Sequence, residues 1–291
     1  MNKLMLMLVV SLLVSGVALA TVDQVQYSGS GSIWNTNAIT PGDYSAMAGD
    51  GANATTFFGA KSGGGVDQVR WTGSAWSAAE IAPGTYSGVA GEGGGNVVFG
   101  AKSGGGVDQI AWNGSGWSVN EITTNTYSVV AGDWANGNTF FGAKSGGGVD
   151  QIRWNGSAWS AAEIVSGTYL ELAGDAGGNA LFGTKSGGGV DQIRWNGSSW
   201  VSAEIVSGIY SNIAGDGANG NTLFGAKAGG GVDQIRWGGS SWLVAEVTSA
   251  TYSVLAGDST ANTFYGVVPE PATMALLGLG SLVMLRRKKS S

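Results

Sequence analysis

The chain has 291 residues, among them 53 glycines, 12 tryptophans and only 12% charged side chains. It contains neither cysteine nor histidine, which excludes disulfides, thiolate metal sites, Ser-His-Asp and Cys-His catalysis and histidine-bound zinc. The formal charge of −6 understates the central region: residues 21–267 hold 9 Lys/Arg and 19 Asp/Glu, so 9 − 19 = −10, and phosphate backbones would repel it, leaving no nucleic-acid partner.

Residues 1–20 open with Lys3, continue through the apolar run Leu4–Val14 and end on Ala18-Leu19-Ala20. That order predicts a helical secretory signal segment, removed by signal peptidase after Ala20.

From residue 21 to 266 one unit is repeated six times. The Asp of Val-Asp-Gln stands at 23, 67, 108, 150, 191 and 233, a period of about 42 residues that defines a repeat architecture. In the fourth copy, β-rich runs at Val149–Trp154 and Trp159–Val165 flank Asn155-Gly156, a tight-hairpin signal. Tyr169–Gly174 and Ala180–Lys185 follow, separated by a glycine-rich turn. Four strands per unit predict an all-β, six-bladed β-propeller of four-stranded blades. The small-residue run Tyr-x-x-x-Ala-Gly suits the crowded innermost strand. The sixth blade would combine Tyr252–Gly257 and Thr263–Gly266 with Val22–Tyr27 and Ile33–Ile39, leaving no free edge at the seam. Repeats 1, 3 and 5 carry one extra turn residue after Ala-Gly-Asp, consistent with three copies of a two-blade unit. The Ala-Gly-Asp and Phe-Gly-Ala-Lys strands are similar to FG-GAP and VCBS-type propeller repeats. The Arg-Trp-Asn-Gly-Ser-x-Trp hairpin resembles those of tectonin-like lectin propellers.

Residues 267–291 form a separate tail. Val268-Pro269-Glu270-Pro271 stops the last strand, since proline cannot donate to a ladder. Ala272–Leu285 is an uncharged run, short for a stable spanning helix, and Arg286-Arg287-Lys288-Lys289 would hold its end in the cytoplasm. This tail resembles the PEP-CTERM sorting domain. The resemblance implies that an exosortase-type membrane peptidase of a Gram-negative, exopolysaccharide-making bacterium recognises Val268, Pro269, Glu270, Pro271, Arg286 and Arg287. It also implies a transient hydrophobic-helix anchor and delivery to the outer surface or extracellular matrix.

Three sets of repeated side chains could carry function. Asp50, Glu92, Asp133, Asp175, Asp216 and Asp258 would ring one channel mouth, either as oxygen ligands for Ca²⁺ or as acceptors for their own turns. The sequence after Asp216, Gly217-Ala218-Asn219-Gly220, departs from the FG-GAP calcium loop, and no other cofactor is implied. The tryptophan pairs Trp71/Trp76, Trp112/Trp117, Trp154/Trp159, Trp195/Trp200 and Trp237/Trp242, replaced in the first repeat by Tyr27 and Trp34, would either stack on sugars or pack between blades. Arg70, Arg153, Arg194 and Arg236 are expected to pair across strands with Glu80, Glu163, Glu204 and Glu246. Trp134 occurs in one repeat only and is expected to be exposed. Asn113, Asn155 and Asn196 read as turn residues before glycosylation acceptors. Only Asp43 and Glu171 break the acidic pattern, so nothing singles out a catalytic centre. The expected role is a non-catalytic surface or matrix component. The alternatives are a multivalent lectin-like module for extracellular polysaccharide and a polysaccharide-acting enzyme.

Overall fold

The computed structural model describes residues 20–29, 33–50, 55–134, 137–175, 178–217, 220–258 and 262–269. The helices expected before Ala20 and after Pro269 lie outside them. The described residues form 24 strands in six four-stranded antiparallel sheets. In each blade strands a to d run outward from the axis. Blade 1 is Tyr44–Gly49, Thr56–Lys61, Val66–Trp71 and Trp76–Ala82. Blade 6 takes strands a and b from Val254–Gly257 and Thr263–Val268, and strands c and d from Thr21–Tyr27 and Trp34–Pro41. The ring is therefore closed by pairing the two ends of the repeat region, with Thr21 opposite Val268.

Burial falls outward from strand b, whose residues Thr56–Ala60 are all buried. Its consecutive aromatic or aliphatic pair serves two interfaces: Phe57 joins the core toward blade 6 and Phe58 the core toward blade 2. The glycine that follows is required for a different reason. The Tyr44 ring lies across Gly59, where an added Cβ would stand 2.4 Å from Cδ1. Lying there, the ring carries its hydroxyl over strand b to donate to Asp67 of strand c at 3.1 Å. The same Tyr–Asp bond recurs in every blade, and in blade 6 it ties Tyr252 to Asp23 across the seam at 3.2 Å.

Lys61 completes this brace from strand b, meeting Asp67 at 3.2 Å and Glu80 of strand d at 2.5 Å. Lys102, Lys144, Lys185 and Lys227 do the same in blades 2 to 5. The expected Arg–Glu pairing is thus replaced by Lys–Glu. The register sets Arg70 opposite Ser77, while Glu80 faces Asp67, beside the end of Lys61.

At the axis the six strand-a glycines touch in a circle. A Cβ on Gly91 would stand 1.9 Å from the Gly49 carbonyl oxygen, and Gly132, Gly174, Gly215, Gly257 and Gly49 repeat the contact at 1.6 to 2.1 Å. No neighbour can yield here, because the obstructing atom is backbone. Gly132→Ala should therefore lower stability by more than about 2 kcal/mol in denaturant unfolding. Gly116→Ala, in a turn where an added Cβ meets nothing, should change it by less than about 0.5 kcal/mol.

Candidate functional site

Between blades, the tryptophan pairs divide into two roles. The strand-d member packs edge-on over the strand-b aromatic of the preceding blade: Trp117 on Phe58 at 6.0 Å, Trp200 on Phe141 at 5.7 Å, Trp242 on Phe182 at 5.8 Å. Trp159 on Phe99, Trp34 on Phe224 and Trp76 on Tyr265 complete the set of six. Such pairs add about 0.5–1.5 kcal/mol each beyond the area they bury. The strand-c member, by contrast, stays on the surface: Trp71, Trp112, Trp154, Trp195 and Trp237 are 38–42% exposed, each 5.8–6.1 Å from its packed partner.

The opposite wall of each cleft follows from period-2 alternation. Gln68 is the register partner of Phe58, so Gln68 and Arg70 share the face on which Trp117 packs. The cleft between blades 1 and 2 thus has Gln68 and exposed Arg70 on one side and Trp112 and Trp117 on the other. Gln151/Arg153, Gln192/Arg194 and Gln234/Arg236 repeat the arrangement opposite Trp195/Trp200, Trp237/Trp242 and Tyr27/Trp34. Two clefts lack the guanidinium, having Ala111 opposite Trp154/Trp159 and Gln26 opposite Trp71/Trp76. The four arginines and the glutamines are site residues that pattern reading assigned elsewhere or passed over. The strand Val-Asp-Gln-Ile-Arg-Trp carries the signal, since its alternation turns Gln and Arg away from its own Trp and toward the next blade's.

The six acidic residues are all buried at the strand-a ends. The Glu92 carboxylate accepts from the Asn96 N–H of its own turn at 3.4 Å, and burial pushes its pKa up, opposed by the backbone donors of Asn96 and Gly94. Four of them also lean on the next blade's turn: the nearest atoms to a Cβ on Gly95, Gly137, Gly178 or Gly220 belong to the side chains of Asp50, Glu92, Asp133 and Asp175. Among the described residues no group of three such side chains is placed to hold one metal ion.

Trp134 is not the exposed side chain expected. It is half-buried, with φ of +56°, a rare backbone state for a bulky residue. Its indole lies against Gly217 and reaches Gly49 and Gly174, covering the glycine circle at one end of the axial channel. The channel offers about 120 Å³ of open space and is lined by the inner strands, Trp134, Glu171 and Asn212. Among the described residues Glu171 is the one ionisable side chain in that lining, and burial pushes its pKa up to about 7, opposed by the Asn212 hydrogen bond.

The sign of the effect on stability follows. With a folded pKa above the ordinary 4.5, the folded protein holds the Glu171 proton more tightly than the unfolded chain. The resulting stabilisation is complete below about pH 4.5 and is lost as pH rises through about 7. The ionisable groups on neighbouring strands are Tyr169, Tyr210 and Lys185, all raised above their ordinary values. None of them titrates in this window. Asp23 and Glu92 add slopes of the same sign, so the test is a difference. Glu171→Gln should flatten the fall in melting temperature between about pH 4.5 and 7 by the equivalent of roughly 2–3 kcal/mol.

Residues 267–289 match the pattern described as the PEP-CTERM protein-sorting motif. The molecule is thus a six-bladed β-propeller that carries a C-terminal PEP-CTERM sorting motif. No curated protein matches the sequence. Solved propellers share its fold at low identity. An arginine-to-alanine triple mutant of AofleA from Arthrobotrys oligospora is 12% identical over 79% of this chain and 80% of that one, with a TM-score of 0.58. Aleuria aurantia lectin, described as a six-bladed propeller with a novel fucose recognition mode, is 15% identical over 74% and 84%, with a TM-score of 0.55. The propeller domain of Cps50 (Swd1) from Myceliophthora thermophila is 10% identical over 79% and 98%, with a TM-score of 0.52.

Proposed function

We propose that the protein is an exported, non-catalytic, multivalent carbohydrate-binding propeller, delivered to the cell surface or its polysaccharide matrix through its PEP-CTERM tail. The observation that carries this reading is the repeated cleft between blades. An exposed indole offers a flat face to the C–H surface of a sugar. A guanidinium with donors in a fixed fork and a glutamine amide with both donor and acceptor atoms suit vicinal hydroxyls. Three equivalent clefts, and a fourth with Tyr27 in the place of the exposed indole, allow weak single sites to act together on a polymer. The resemblance in fold to fucose-recognising lectins supports the class of ligand, and the tail supports processing by an exosortase-type peptidase.

The geometry of the ends favours the same role. The tail leaves from Val268, at the Lys-Ser-Gly-Gly-Gly turn end of the blades, whereas the Trp/Arg clefts open at the Asn-Gly turn end. A molecule held by its tail therefore presents its clefts away from the membrane.

A glycan array tests this reading. The protein should bind one class of polysaccharide, and the quadruple variant Arg70→Ala, Arg153→Ala, Arg194→Ala, Arg236→Ala should lose binding by more than tenfold with its melting temperature little changed, since these arginines are exposed. Absence of binding to every glycan, or full binding by the quadruple variant, overturns it.

A further inference from the structure

We propose that the axial channel is a blind pocket for a small organic cation bearing a primary ammonium group, held by Glu171 at the seam between blades 4 and 5, with Asn212 and Thr184 beside it.

The repeat supplies its own control. The positions equivalent to Glu171 are Ala46, Gly88, Val129, Asn212 and Val254, and its register partner Thr184 is replaced by Ala60, Ala101, Ala143, Ala226 and Val267. Five blades build this position without a carboxylate and without a hydroxyl, so the fold requires neither. Both departures fall in one blade and on facing residues of neighbouring strands. Thr184 is 2% exposed, and its hydroxyl has no hydrogen-bond partner among the described residues, an unmet polar group next to a buried acid. Asn212, polar at the same position in the next blade, has its Oδ1 fixed by the Leu255 N–H at 2.7 Å, which turns its NH₂ toward Glu171.

Charge decides what these groups would hold. Among the described residues no Lys or Arg lines the channel, so none of them neutralises Glu171 from the wall. The acidic ring at the capped end adds negative potential, and narrow low-dielectric channels focus it. Innermost strands pair on one side only, so the backbone carbonyls of their free edges face the axis. An ammonium group has three donors to place, which one carboxylate and two such carbonyls satisfy. Ca²⁺ prefers six to eight oxygens, and only one acidic side chain is offered here. The roughly 120 Å³ of open channel leaves room for a ligand of a few heavy atoms. Trp134 shuts one mouth, so entry is from the end carrying Ser45, Ser87 and Ser128.

Calorimetric titration of the exported protein with methylammonium and ethanolamine, alongside glycerol and Ca²⁺, tests the proposal. At about pH 8 the amines should bind saturably at a single site, and at about pH 5.5 more weakly, because Glu171 then carries its proton. Glu171→Ala, which installs the residue of the first repeat, should weaken amine binding at least tenfold, and Thr184→Ala should weaken it by less. Both variants should fold and keep wild-type glycan binding, and Glu171→Ala should flatten the pH dependence of melting as Glu171→Gln does, so this pocket and the inter-blade clefts can fail separately. Amines that do not saturate the wild type, Glu171→Ala binding as well as wild type, or a preference for Ca²⁺ or glycerol would overturn it.

Discussion

Everything in this molecule depends on six glycine backbones pressed against one another round the axis. Each carbonyl occupies the space where its neighbour's Cβ would be, so the inner radius is set by backbone contact and not by side-chain choice. A blade cannot move inward past that limit, nor outward without opening a gap in the core. The aromatic interfaces fix the outer spacing in turn. With strand-b rings about 6 Å from the tryptophan of the following blade, the interfaces of six blades are filled by edge-on aromatic packing, which large aromatic surfaces reward.

The same geometry separates stability from recognition along each Trp pair. The inner indole is part of the interface and cannot be spared for a ligand. The outer one rests against it, held at a fixed angle by an already ordered neighbour, so presenting an exposed aromatic costs little additional entropy. The tyrosine-to-aspartate bond and the lysine between two carboxylates act similarly inside each blade. They tie strands a, b, c and d together with buried or half-buried polar contacts, leaving the arginines on the opposite faces free of structural duty. Lys–Glu contacts on this exposed flank add modestly to stability, whereas the tyrosine hydroxyl donates to Oδ2 of a buried acid whose Oδ1 faces the lysine in blades 1 to 5.

Much of this was legible in the residues. The six-unit period, the strand order within each unit, the innermost position of the Ala-Gly run and the shared sixth blade follow from turn chemistry and small-residue placement, because these are local properties. The partner of Glu80 was not legible, because the hairpin register sets Arg70 opposite Ser77 and Glu80 opposite Asp67 on the other face, and the lysine that reaches Glu80 comes from strand b, two strands away. Nor was the place of Trp134. Its side chain crosses the axis to strands distant in sequence, and only the closed ring brings Gly49, Gly174 and Gly217 within its reach. Glu171 was visible as an exception to the pattern. That it lies in the channel wall depends on the same closure.

Closure also links the two ends of the chain. Thr21, the first residue after the expected signal cleavage, pairs with Val268, at the start of the sorting motif, and Asp23 accepts from the Tyr252 hydroxyl. The ring therefore cannot close until the last repeat has been made and brought to the first strand, a contact of high sequence separation and correspondingly slow formation. Until then Thr263–Val268 and Thr21–Tyr27 are unpaired edges, open to other chains. Once they meet, Val268 lies within the ladder and Pro269 stands immediately outside it. The sorting motif thus begins where the folded wheel ends, so a peptidase cutting beyond Pro269 would remove the tail without disturbing the closing pair.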